Sequence, residues 1–177
     1  MLTFHLVVMG VSGCGKTSVA AALAKRLGLV MVDGDDLHTP ESVAKMRAGI
    51  PLDDTDRWPW LDRIGAYLAQ GDATHTGRIV ACSALKRAYR DRLRQHTQQL
   101  YFVFLDGSDE LIRKRLVERK GHYMHPELLD SQLRTLERPQ PDEHDIICLN
   151  ISASVDALAD QALQVLQSLR AQTPRVS

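Results

Sequence analysis

Residues 10–17 read Gly-Val-Ser-Gly-Cys-Gly-Lys-Thr and meet every specified position of the phosphate-binding pattern G-x-x-x-x-G-K-[ST]. Gly10, Gly13 and Gly15 lack a Cβ, so the chain can turn its amide hydrogens inward as an anion-binding nest completed by Val11, Ser12 and Cys14. Lys16 supplies a point charge for the β- and γ-phosphate oxygens, and the Thr17 hydroxyl is a hard ligand suited to Mg²⁺. A helix starting near Lys16 points its positive end at the same anion. The loop therefore implies ATP and Mg²⁺ as cofactors. Cys14 lies within the nest, where a helix terminus would lower its thiol pKa; alkylation is then expected to inactivate and ATP to protect.

Phosphoryl transfer asks a protein mainly for positioning and charge neutralisation, so further charged groups are expected around the loop. Asp33-Gly-Asp35-Asp36-Leu-His38 follows a short apolar run, at the strand end where open parallel sheets bind ligands. Asp33 joins Thr17 as a metal-site candidate. Asp35 is the candidate for orienting and deprotonating an attacking hydroxyl, against the plainer reading of a turn in which Asp36 caps a helix. Lys86, after a third strand, can meet an acceptor carboxylate or phosphate, whereas Arg87 and Arg90 fit ordinary exposed helix charges paired with Asp91. In Leu52-Asp-Asp-Thr-Asp-Arg57-Trp58-Pro-Trp60-Leu61, Arg57 could clamp a carboxylate bidentately, while Trp60 reads as local core. Arg115 and Arg119 share one helix face ahead of Gly121, a plausible hinge. Arg119 could cover the transferring phosphate and Arg115 stack on a base; the alternative is a solvated basic face with Glu118 as partner.

Five short apolar runs must hold these groups: 4–9, 29–33, 78–83, 100–105 and 146–151. They read as buried parallel strands. Helical segments lie at 18–27, 40–48, 56–70, 86–96, 108–119, 126–138 and 155–170, with Gly28 as the stop of the first. The alternation gives an α/β fold with a five-stranded parallel sheet in a three-layer α/β/α arrangement of the P-loop NTPase type. The 177 residues fit a single domain. Residues 38–77 and 115–143 exceed what crossovers need and suit an acceptor-binding insertion and a lid.

Twenty-two Lys and Arg balance 22 Asp and Glu, so net charge gives nucleic-acid binding no support. Three scattered cysteines fit neither a disulfide framework nor a zinc site and suggest a reducing compartment. No run approaches a membrane span, and the first strand follows the start of the chain directly, so a cytoplasmic, soluble protein is expected.

Taken together, residues 9–17, Asp33–His38, Lys45–Leu61, Cys82-Ser-Ala-Leu-Lys86 with Tyr89-Arg-Asp91, and Arg119-Lys-Gly-His122 resemble gluconate kinases of the short P-loop type over nearly the whole chain. The resemblance implies ATP-dependent phosphorylation of D-gluconate at its 6-hydroxyl, a nucleoside-monophosphate-kinase-like fold with a mobile lid, and a homodimer. By position it assigns Gly10–Thr17 to the nucleotide and Asp35, His38, Arg57 and Lys86 to the acceptor. The chain departs most from that pattern in the lid, at Tyr123-Met-His-Pro126. The rivals are another small-molecule kinase of this architecture, acting on shikimate or adenylyl sulfate, and a nucleotide-dependent switch with no acceptor.

Overall fold

The computed structural model describes residues 3–119 and 126–172. Five parallel strands, β1 (His5–Met9), β2 (Val30–Asp33), β3 (Arg78–Ala81), β4 (Leu100–Asp106) and β5 (Ile146–Asn150), form one sheet in the order β2-β3-β1-β4-β5. Helix α1 (Lys16–Leu27) follows β1, and a 3₁₀ turn (Gly34–Leu37), α2 (Pro40–Arg47) and α3 (Asp54–Ala73) link β2 to β3. Helix α4 (Arg87–Arg94) precedes β4, α5 (Asp109–Glu118) and α6 (Pro126–Thr135) lie between β4 and β5, and α7 (Val155–Gln172) closes the described chain.

Alternation along the central strands divides the core in two. Leu6, Val8, Ile79, Tyr101 and Val103 face α1 and α7, whereas Val7, Met9, Val80, Phe102 and Phe104 face α3 and α4. These layers leave the carboxyl edge of the sheet for the loops. Order reverses between β3, β1 and β4, and the loop after β1 stands at that switch point.

Several element ends follow from local chemistry. Gly28 takes the left-handed conformation (φ 65°) and its amide bonds the Ala24 carbonyl, ending α1. Helix α3 starts at Asp54, two residues earlier than periodicity suggests, because Asp53 and Asp56 form a reciprocal capping box. Pro59 lies inside the helix.

The expectation of uniformly buried strands needs correction at both edges. Val30 of β2 is exposed, and in β5 Ile147 and Leu149 are buried while Cys148 and Asn150 face outward. An edge strand has a neighbour on one side only, which permits half-exposed faces.

Candidate active site

Residues 10–17 form a loop between β1 and α1, with positive φ at Gly10 (143°), Gly13 (83°) and Gly15 (94°). A Cβ on Gly13 would stand 2.7 Å from Leu116 Cγ, so this glycine is needed both for its backbone angle and for close packing. The Gly10 amide donates to the Ser83 carbonyl, Cys14 N–H to the Val11 carbonyl and Ser12 N–H to Gln132 Oε1. The Lys16 amide faces the Cys14 sulfur, while among the described residues no acceptor engages the amides of Gly13, Gly15 and Thr17. Those three donors, with the start of α1 behind them, suit an anion. Lys16 Nζ donates to the Val11 carbonyl at 3.0 Å, folded across its own loop.

Asp33 connects this loop to the next segment. Its Oδ2 accepts from the Thr17 hydroxyl and its Oδ1 from the Asp35 amide, each at 3.0 Å. A hydroxyl and a carboxylate side by side beside an anion nest match the few protein oxygens that Mg²⁺ takes when phosphates and water complete its shell. Thr17 and Asp33 thus fit the expected metal site; among the described residues no cluster of three or more His, Cys, Asp or Glu offers a rival one.

Beyond Asp33, the exposed Asp35 carboxylate lies 3.7 Å from His38 Nε2. His38 holds the Asp35 carboxyl below its ordinary range, with Lys16 contributing at longer reach. The His38 ring is itself fixed by stacking on Trp60, with centroids 4.3 Å apart and planes 14° from parallel. Trp60 is buried and its indole N–H donates to the Gly34 carbonyl at 2.7 Å, so α3 braces the segment that presents Asp33 and Asp35. Trp60 is local core, as its sequence context suggests.

Lys86 immediately precedes α4 without a side-chain capping bond, and both oxygens of Asp54 accept from its ammonium at 3.0 and 3.1 Å. Asp54 also accepts from the Tyr89 hydroxyl. Burial and that bond to Asp54 push the Tyr89 phenol far above its usual range. Arg57 stands one turn along from Asp54, its guanidinium 5.7 Å from the centre of the Tyr89 ring, while Trp58 meets the same ring edge-on. Among the described residues the Arg57 guanidinium makes no ion pair or hydrogen bond. Asp54 and Tyr89 escape a motif search because neither type in isolation signals a cation cradle; their proximity depends on packing α3 against α4.

Arg90 is no exposed helix charge. It is fully buried, bidentate to Glu143 at 2.9 and 2.7 Å, and it also donates to the carbonyls of Ala84, Leu85 and Glu137. Its neighbour Arg87 does lie near the surface, paired with Asp142 as well as Asp91. The segment after α6 is thereby docked onto the start of α4.

The Cys14 expectation also reverses. Its thiol is buried, and burial raises its pKa despite Lys16 and the nearby amides, which pull the other way. On α5, Arg115 donates to the Ile151 carbonyl, and Arg119 is an exposed residue just past the helix end. The structure thus joins Thr17, Asp33 and Asp35 by hydrogen bonds, with Lys16 acting on Asp35 through its charge alone. Arg57 and Lys86 form a second cluster on α3 and α4, and Arg115 is anchored to the strand end after β5. The Gly121 hinge, with His122 and Tyr123–His125, lies outside the described residues.

The chain is similar to known proteins over most of its length. A family model described as "AAA domain" matches residues 6–139. The chain is 43% identical over 165 residues to the thermosensitive gluconokinase of Escherichia coli (strain K12), spanning 93% of this chain and 88% of that protein. It is 49% identical over 138 residues to the gluconokinase of Gluconobacter oxydans (strain 621H), spanning 78% of each. The crystal structure of a gluconokinase from Sinorhizobium meliloti 1021 superposes with a TM-score of 0.85 at 43% identity, covering 95% of this chain and 94% of that one.

Proposed function

The chain belongs to the gluconokinase family and phosphorylates gluconate with ATP, and we propose that the 6-hydroxyl of D-gluconate is the acceptor, giving 6-phospho-D-gluconate. Carbohydrate-acid catabolism would consume that product. The observation that supports the reading best is the double role of Asp33, whose two oxygens join Thr17 on the nucleotide side to Asp35 on the acceptor side.

In this reading the amides of Gly13, Gly15 and Thr17 bind phosphate oxygens, with the loop residues Gly10, Val11, Ser12 and Cys14 shaping the nest. Lys16 leaves the Val11 carbonyl to neutralise the β- and γ-phosphates. Thr17 and Asp33 would hold Mg²⁺, which screens phosphate charge when bound. Asp35 aligns the acceptor hydroxyl and takes its proton. Its low pKa makes it a weak base, which suffices where the transferring group departs before the new bond is far advanced. His38 keeps Asp35 oriented.

Gluconate has one carboxylate and a chain of hydroxyls. Arg57, unpaired among the described residues, is assigned to the carboxylate, and Lys86 with its Asp54 partner to the neighbouring oxygens. Arg119 and Arg115 are assigned to the transferring phosphate and the base. Residues 38–77 thus serve acceptor binding and 115–143 the covering of the phosphates, all within a single domain.

We further take the protein to be a cytoplasmic homodimer acting on a small molecule, with neither nucleic acid nor membrane as partner. The balanced charge gives a nucleic-acid partner no support, no helix among the described residues is long and apolar enough to cross a membrane, and the homodimer follows from the family resemblance. Phosphorus–proton correlation spectroscopy of the product tests the acceptor position. Coupling of the new phosphate to the C6 methylene protons is expected; coupling to any other proton would overturn it.

A further inference from the structure

Helix α6 reaches into the nucleotide loop through one side chain. Gln132 Oε1 accepts the Ser12 amide hydrogen at 2.7 Å, although the two residues are 120 positions apart. Ser12 and the adjacent Gly13 form the crest of the loop, and Leu116 of α5 packs closely on Gly13. The crest therefore meets both α5 and α6. The two helices are also tied to each other by the ion pair of Arg113 with Asp130. Helix α6 has a firm base of its own: Leu129, three residues before Gln132 and so on the same face, is buried in the main core.

The chemistry of the loop explains what such a contact could do. An anion nest works only when its free amides converge, and each amide that faces elsewhere must find another acceptor. The Cys14 amide is satisfied inside the loop by Val11, and the Ser12 amide outside it by Gln132. The Gly13, Gly15 and Thr17 amides are left for the ligand among the described residues. Glycine-rich backbone has many alternatives, so an external anchor at the crest narrows the loop toward its binding shape before the ligand arrives.

We propose that Gln132 is a positioning residue for MgATP: its carboxamide oxygen pre-organises the Ser12–Gly13 crest and ties the α5–α6 pair to the nucleotide loop. The inference rests on reading residues 10–17 as the ATP site. Among the described residues the hydrogen bond of the Gln132 side chain goes to backbone, so its removal weakens nucleotide binding and leaves the acceptor cluster as it is.

Two variants of the full chain separate this from a packing role. Gln132→Met keeps length and volume but removes the acceptor oxygen; Gln132→Glu keeps an acceptor. In the ligand-free protein, hydrogen exchange at the Ser12 amide should be at least about tenfold faster in Gln132→Met and remain protected in Gln132→Glu. Gln132→Met should also raise KM for MgATP about tenfold, with KM for gluconate within about twofold and Tm unchanged. Unchanged Ser12 exchange and unchanged KM for MgATP would overturn the proposal, as would a rise in both KM values with a fall in Tm. Lys16→Ala run in parallel distinguishes the underlying reading, since unaltered nucleotide binding there would remove the ATP site itself and with it the role of Gln132.

Discussion

Lys86 and Asp54 form a bidentate pair across α4 and α3, with the Lys86 ammonium 3.0 and 3.1 Å from the two carboxylate oxygens, and Tyr89 donates to the same carboxylate. The pairing neutralises much of the Lys86 charge and leaves Arg57, one turn further along α3, as the cation available to an incoming carboxylate. The two residues therefore differ in their expected weight. A charge-assisted bidentate contact is worth about 1.5–3 kcal/mol, so Arg57→Ala should raise KM for gluconate by roughly 10- to 150-fold. Lys86→Ala should raise it less and also lower Tm, because Asp54 loses its partner. Equal effects on KM from steady-state kinetics would contradict this division.

Asp35 owes its low pKa first to the His38 side chain. A carboxylate held below its ordinary range remains ionised as the pH falls, so the acidic limb of kcat/KM should lie under that range. Without His38 the carboxyl protonates more readily. His38→Ala should therefore move the acidic limb to higher pH, and pH–rate profiles of both proteins check the direction. A limb that stays in place would remove His38 as the cause.

Burial dominates at Cys14, so its thiol resists ionisation. Iodoacetamide at neutral pH should leave activity intact while modifying the exposed Cys148 first, as peptide mass mapping would report. Rapid inactivation prevented by ATP would instead show that the loop opens and that the thiolate forms.

Glu143 anchors the buried charge network at α4. Burial alone would raise its carboxyl, but the hydrogen bonds from Arg90 and Arg94 outweigh that and bring it to about 2 from an ordinary 4.5. The folded value lies below the unfolded one, so the stabilisation is complete above about 4.5 and is lost as pH falls toward about 2. Tm should decline through that window. Glu143→Gln leaves Arg90 buried without its counter-charge, a loss of about 3–5 kcal/mol near neutral pH, and should flatten the acid decline. Thermal melts from pH 7 to 3 measure both effects.

Much of this was legible in the residues. Five apolar runs became five strands because each is short, continuous and followed by a helix with its own stop, and the loop motif placed Lys16 and Thr17 beside β1. Asp33 and Asp35 were legible from their position at the carboxyl end of β2, and the pairing of Asp33 with Thr17 follows from that position. What periodicity could not reveal depends on tertiary neighbours. Arg87 and Arg90 look alike in sequence, yet only Arg90 is fully buried, received by Glu143 and the Glu137 carbonyl and by the Ala84 and Leu85 carbonyls of its own segment. The early start of α3 needed recognition of an Asp–Asp capping box, and Gln132 needed the packing of α6 over the loop crest. The Cys14 expectation failed because a nest of amides suggests a low thiol pKa only when the sulfur stays in contact with water.

The most direct test of the central claim is initial-rate ADP release with MgATP, measured against D-gluconate, other aldonates, shikimate, adenylyl sulfate and water alone, with Lys16→Ala as control. Turnover with D-gluconate that far exceeds the water rate and vanishes in Lys16→Ala is the predicted result. Equal rates with and without every acceptor, or turnover undiminished in Lys16→Ala, would contradict it.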